Sequence, residues 1–243
     1  MRSSRSAPDR ASQTVDPLDP GRNGFAHRGL HRAPAIIENS LTSFGAALEL
    51  GAGIECDLRL TADNQILVFH DADAQRLCGS PDVIGQSTLA DLGHLTVSGH
   101  PIPTLAQLLA LVAGRVPMLL EVKIDRDLWR FGRALIAALD DYTSAFGVMS
   151  FHPGLLRWLK TNAPHMRRGL VIRDSLSTPK RWLAMKLADP AFLAVDVAAI
   201  EKPWVAAARV SMPIYTWTVR TRDDRRRALA CADALIWEAD GRP

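Results

Sequence analysis

From Asn23 onward, short apolar runs alternate with stretches whose apolar positions recur at helical spacing. This rhythm predicts strands at 24–27, 53–57, 118–123, 146–151, 168–172, 192–196, 214–219 and 234–238, joined by helices at 41–50, 127–141, 153–162, 179–188, 203–210 and 222–231. Ser40 stands where an N-cap is needed and Gly51 where a left-handed C-cap is needed. Two further short helices, 89–94 and 105–113, fall between the second and third strands, the latter opened by a Thr104/Gln107 capping box and closed by Gly114. They mark residues 71–117 as a small insertion. Eight strands with intervening helices in about 220 residues predict an α/β chain folded as a (β/α)₈ TIM barrel. A doubly wound open sheet shares the same alternation.

Residues 1–22 are rich in Ser, Arg, Asp and Pro and offer little apolar surface to offset ordering, so they are expected to form a flexible tail ahead of a folded domain at 23–243. With 47% hydrophobic and 23% charged residues, the chain can build a sizeable core, which excludes a disordered or disulfide-scaffolded protein. A net charge of +3 is too small for a nucleic-acid footprint. Three cysteines without a CxxC spacing suggest neither a disulfide framework nor a thiolate zinc site. No apolar run is long enough to span a membrane, and the first 22 residues lack the apolar core of a secretory signal, so the expectation is a cytoplasmic protein with no stable membrane insertion.

The chemistry begins at Gly53-Ile54-Glu55-Cys56-Asp57. Strand side chains alternate, so Glu55 and Asp57 share one face of a run otherwise apolar enough to be buried. Two carboxylates there repel unless they reach water or a cation holds them. The third predicted strand carries Glu121 and Lys123 at the same spacing. Three carboxylates from two strands make an all-oxygen set suited to a hard divalent ion such as Mg²⁺, Ca²⁺ or Mn²⁺ rather than zinc.

After Asp57 the segment Thr61-Ala62-Asp63-Asn64-Gln65 signals a tight turn and an antiparallel return. With Asp63-Asn64 as a two-residue turn, Ala62 faces Gln65 and His70 falls opposite Asp57. His27, at the end of the first strand, supplies a second imidazole. Beside a hard metal ion, one imidazole can take a proton and the other give one, while Arg28 and Lys123 offset phosphate charge. The remaining histidines, His31, His94, His100, His152 and His165, read as surface or loop residues.

The ordered set His27-Arg28-Gly29, Glu38-Asn39-Ser40, Glu55-Cys56-Asp57, Phe69-His70-Asp71, Pro101-Ile102-Pro103-Thr104-Leu105, Leu120-Glu121-Val122-Lys123, Ser150-Phe151 and Trp217-Thr218-Val219 resembles the glycerophosphodiester phosphodiesterase family, compact bacterial type. The resemblance implies metal ligands at Glu55, Asp57 and Glu121, catalytic imidazoles at His27 and His70, and substrate contacts from Arg28, Lys123 and Trp217. It also implies one divalent cation, Mg²⁺ or Ca²⁺ with Mn²⁺ as a third candidate, and a small-molecule phosphodiester as partner. Asn39 reads as an orderer of the loop into the first helix. Arg220 stands where the family usually has Asn, and Ile236-Trp237-Glu238 replaces Ile-Thr-Asp, departures expected to alter the pocket rim and not the metal core.

The favoured expectation is metal-dependent hydrolysis of glycerophosphodiesters to glycerol 3-phosphate and an alcohol. One alternative is phospholipase D-like action on lysophospholipids, with Leu95, Val97 and Ile102 as candidates for an apolar rim. A second is a catalytically silent barrel that binds a phosphodiester. The sequence leaves the departing alcohol and the oligomeric state open.

Overall fold

In a computed structural model that describes residues 18–243, eight parallel strands close into a ring. They are β1 (Phe25–Ala26), β2 (Gly53–Leu60), β3 (Met118–Val122), β4 (Phe146–Ser150), β5 (Arg167–Ile172), β6 (Phe192–Asp196), β7 (Ile214–Val219) and β8 (Ala234–Trp237). Closure is made by β1, which pairs with β8 through Phe25 and Ile236 and with β2 through Phe25 and Gly53. The fold is therefore the (β/α)₈ barrel and not the open sheet.

The surrounding helices are α1 (Leu41–Leu50), α2 (Leu105–Val112), α3 (Leu128–Leu139), α4 (Pro153–Asn162), α5 (Thr178–Ala188), α6 (Pro203–Arg209) and α7 (Arg222–Cys231), apart from a single turn at Gln75–Cys78. Ser40 and Thr104 form the capping boxes of α1 and α2, and Gly51 closes α1 at φ 67°. Helix α2, grouped with the insertion by sequence, buries Leu105, Leu108 and Val112 in the same core as Ile54, Cys56 and Leu58 of β2, so it serves as the second barrel helix. The rest of the insertion packs with Leu67 and Phe69 into a small second core, in which Leu95, Val97 and Ile102 are buried. The three therefore offer no exposed apolar rim.

Of the expected tail, residues 1–17 lie outside the described residues. Leu18, within its expected span, is instead fully buried inside the barrel with Phe25, Leu119, Met149, Phe192 and Tyr215. The correction has a simple cause. Interior glycines leave a hollow, and a Cβ at Gly147 would lie 2.8 Å from Leu18 Cδ1. One apolar side chain that fills such a space outweighs the polarity of its neighbours.

The return strand after β2 (Ile66–Val68) also corrects an expectation. It pairs Leu58 with Val68 and Leu60 with Ile66, one residue out of the anticipated register. The turn holds three residues rather than two, because Asn64 takes a left-handed conformation at φ 66° and Thr61 N–H donates to Gln65 O at 2.9 Å. Phe69, whose N–H donates to Asp57 O, thus occupies the place expected for His70.

Candidate active site

At the C-terminal end of the barrel, Glu55 and Asp57 project from β2 while Glu121 stands beside Asp57 on β3, the two being paired in register. The three residues are 1%, 1% and 7% exposed, and a ligand oxygen from each lies within 4.8 Å of the others. Such a cluster needs positive charge. Arg28 Nε approaches Asp57 Oδ2 at 3.0 Å, and Lys123 Nζ reaches Asp57 Oδ1 at 2.9 Å and also contacts Glu121.

Two cations thus face three buried carboxylates, and Glu55 has neither for its own. Among the described residues its Oε2 accepts only the backbone N–H of Arg28, at 3.0 Å, delivered by the left-handed backbone of that residue. Burial, and then repulsion from Asp57 and Glu121, push the Glu55 carboxyl well above the usual carboxylate range. Asp57 is driven the other way, since Lys123 and Arg28 outweigh its burial. The charge deficit and the all-oxygen donors fit a hard divalent cation.

Asn39 belongs to this site more directly than its sequence reading implied. Buried at φ 52°, it donates from Nδ2 to Asp57 Oδ2 at 2.9 Å and accepts the Asp57 N–H at 3.3 Å, which fixes that carboxylate. The turn that carries Arg28 is tight against α1, and a Cβ at Gly29 would lie 2.4 Å from Ser43 Oγ.

Both expected imidazoles reach the cluster. Nε2 of His27 lies 4.0 Å from Glu55 Oε2, and Nδ1 lies 2.6 Å from Glu238 Oε2. His70 gets there without the expected register, because the chain leaves the return strand after Val68 and Arg59 grips the His70 carbonyl from Nε at 3.0 Å and Nη2 at 2.7 Å. Nδ1 of His70 lies 2.7 Å from Asp71 Oδ1. Burial lowers the pKa of both imidazoles; Glu238 opposes this at His27, and Asp57 at His70.

Each supporting carboxylate is itself held by an arginine. Arg220 Nε donates to Glu238 Oε1 at 2.6 Å, and Arg76 Nε donates to Asp71 Oδ2 at 2.6 Å. Arg76 continues to Glu38 Oε1 at 2.7 Å, which also accepts from Arg28 Nη1 at 2.7 Å. His31, read as a surface residue, instead places Nε2 3.4 Å from Glu238 Oε2. His152 caps α4, its Nδ1 accepting from Leu155 N–H at 3.3 Å.

Glu238, expected from the sequence only to alter the pocket rim, instead holds His27 beside the acidic cluster. Its signal was present: in β8, Ala234 and Ile236 point into the barrel, and Glu238 continues that parity. Trp217 also lies at this end, edge-on to Phe151 with ring centroids 5.5 Å apart, its indole N–H donating to Ala194 O at 2.9 Å.

The fold and site together define a barrel enzyme with an acidic cluster between two imidazoles. The model of the glycerophosphoryl diester phosphodiesterase family matches residues 27–237, and the chain belongs to that family of phosphoric diester hydrolases. A glycerophosphodiester phosphodiesterase from Caldanaerobacter subterraneus subsp. tengcongensis is 28% identical over 228 residues, 87% of this chain and 92% of that protein. Among solved structures, an Oleispira antarctica phosphodiesterase in complex with the product sn-glycerol-3-phosphate superimposes with a TM-score of 0.79 at 20% identity, covering 89% of this chain and 92% of that one. A glycerophosphodiester phosphodiesterase from Parabacteroides distasonis gives 0.76 at 23% identity, covering 89% and 94%. Among the described residues, no helix is long and apolar enough to cross a membrane.

Proposed function

We propose that this enzyme hydrolyses glycerophosphodiesters to glycerol 3-phosphate and a free alcohol, with a divalent cation held by Glu55, Asp57 and Glu121. The observation that carries the reading is the buried trio, short of one positive partner and flanked by two imidazoles whose Nδ1 atoms are both tied to carboxylates. Such a cation supplies charge to a phosphoryl oxygen and acidifies a water molecule.

Arg28 and Lys123 bring the protein's own positive charge against the phosphate, and Phe151, with Trp217 packed edge-on behind it, lines the pocket beside Lys123. His27, the more buried imidazole, takes the proton of the attacking water at Nε2, since burial favours its neutral form. The P–O bond to the alcohol breaks as the new P–O bond forms. His70, with a side chain 33% exposed against 10% for His27, gives its proton to the departing oxygen at the mouth of the site.

The test is release of glycerol 3-phosphate from glycerophosphocholine and glycerophosphoethanolamine after EDTA treatment, with Mg²⁺, Ca²⁺ or Mn²⁺ restored and Glu55→Ala as control. Release that returns with a cation and is lost in the control is expected; none with any of the three overturns the reading. Phosphorus NMR of the product distinguishes a linear monoester from the cyclic phosphate of the lysophospholipid route.

A further inference from the structure

We infer that Glu238, clamped by Arg220, is a positioning residue that fixes the ring and tautomer of His27, so that Arg220 acts on turnover through the imidazole and not through the substrate. The inference rests on the reading of His27 as the proton acceptor and adds the device that sets it.

The geometry is specific. His27 follows a strand of only two residues, and its backbone N–H donates to Trp237 O at 2.9 Å, which fixes the main chain but leaves the ring free to turn. Glu238 supplies the missing constraint at 2.6 Å from Nδ1. An ionised carboxylate only accepts, so Nδ1 carries the proton and Nε2, on the side of Glu55, is left with its lone pair. A neutral imidazole with the opposite tautomer would present a proton where an acceptor is required.

Glu238 is held in turn. Its Oε1 accepts from Arg220 Nε at 2.6 Å, and its backbone N–H donates to Val219 O at 3.0 Å, so both oxygens and the main chain have fixed partners. A guanidinium engaged in this way, with its side chain 57% exposed on the outer side of the carboxylate, is not a group aimed at the phosphate. That task is left to Arg28 and Lys123, which sit on the acidic cluster. The same wiring recurs at His70 through Asp71 and Arg76, on a different segment of the chain. A carboxylate locked by an arginine behind each imidazole is what oriented proton transfer needs.

The test compares Glu238→Leu, Arg220→Ala and the double variant. Glu238→Leu is expected to lower kcat roughly 10- to 100-fold, the scale for loss of an outer partner of a functional imidazole, with KM within about twofold. Arg220→Ala is expected to lower kcat by a smaller factor without moving KM, and to cost nothing further in the Glu238→Leu background. A rise in KM at unchanged kcat for Arg220→Ala, or no change in either constant, overturns the role of Arg220. Unchanged kcat in Glu238→Leu overturns that of Glu238.

A second readout needs no turnover. In the ¹⁵N-histidine-labelled wild-type protein at pH 8, with the His27 signals assigned against His27→Ala, Nδ1 should be protonated and Nε2 bare; the reverse overturns the inference. A wild-type protein that hydrolyses no glycerophosphodiester defeats the proposed function, and the NMR result still decides the positioning.

Discussion

The two ends of the barrel interior are built from the same strands and the same inward-facing parity, yet they hold opposite chemistry. At one end Phe25, Leu119, Met149, Phe192 and Tyr215 pack around Leu18, with Phe192 and Tyr215 ring centroids 4.9 Å apart. Two residues further along, Phe25 gives way to His27, Leu119 to Glu121 and Ile236 to Glu238. A step of two residues is about 7 Å. Over that distance a dry apolar plug becomes a charged layer, and the difference teaches that inward parity selects the residues while height along the strand selects their task. The plug makes the layer above possible, because it excludes water from beneath the carboxylates and strengthens every charge interaction there.

The sharpest way to break this division is to remove one group from each end. His27→Ala and His70→Ala should each lower kcat about 10²- to 10⁴-fold, the range for a proton-transfer group, with the melting temperature little changed. Steady-state kinetics beside calorimetry checks both halves of that statement. Leu18→Ala should do the reverse, costing about 2–5 kcal/mol of stability, as for other large-to-small core changes, while folded molecules turn over normally. A chemical-denaturation midpoint that does not move would show that Leu18 is no part of the plug.

The carboxylates mark the boundary between the two ends and titrate accordingly. Because the folded state raises the pKa of Glu55, its contribution to stability is present below the ordinary carboxyl value and is lost as pH rises through the raised one. In cation-free protein, Glu55→Gln should therefore raise the melting temperature at pH 7 by about 2–4 °C, the shift for roughly 1 kcal/mol in a domain of this size. The gain should close at pH 4. Added Mg²⁺ or Ca²⁺ should stabilise the wild type and not the variant.

The smallest expected effect is on the pH profile. Burial lowers the pKa of both imidazoles, so His27 as base is already unprotonated at neutral pH and the acidic limb of kcat/KM should lie below about pH 6.5, while His70 as acid loses its proton as pH rises and gives a second, basic limb. An acidic limb centred above pH 7 would contradict this.

Much of the architecture was legible along the chain, because strand and helix periods are local properties of side-chain patterning. All eight barrel strands and the caps at Ser40 and Thr104 were readable in this way. The convergence of Glu55, Asp57, Glu121 and Lys123 could be read as well, since parity on two neighbouring strands suffices to place them on one face. The register of the return strand could not, because it hung on whether Asn64 turned left-handed and added a third residue to the loop. His70 reaches the site by a different route, the hold of Arg59 on its carbonyl.

What the sequence determined by itself was the βα rhythm, the inward face of each strand and the types of groups available for chemistry. These follow from rules that act over a few residues. Only the tertiary structure decided which distant groups meet: Leu18 in the barrel interior, Asn39 on Asp57, and Glu238 on His27, 211 positions apart. The first is set by the hollow that interior glycines leave, the second by the Asn39 N–H bond to Arg28 O, and the third by ring closure between β1 and β8, all contacts between segments that no single local stretch of the chain contains.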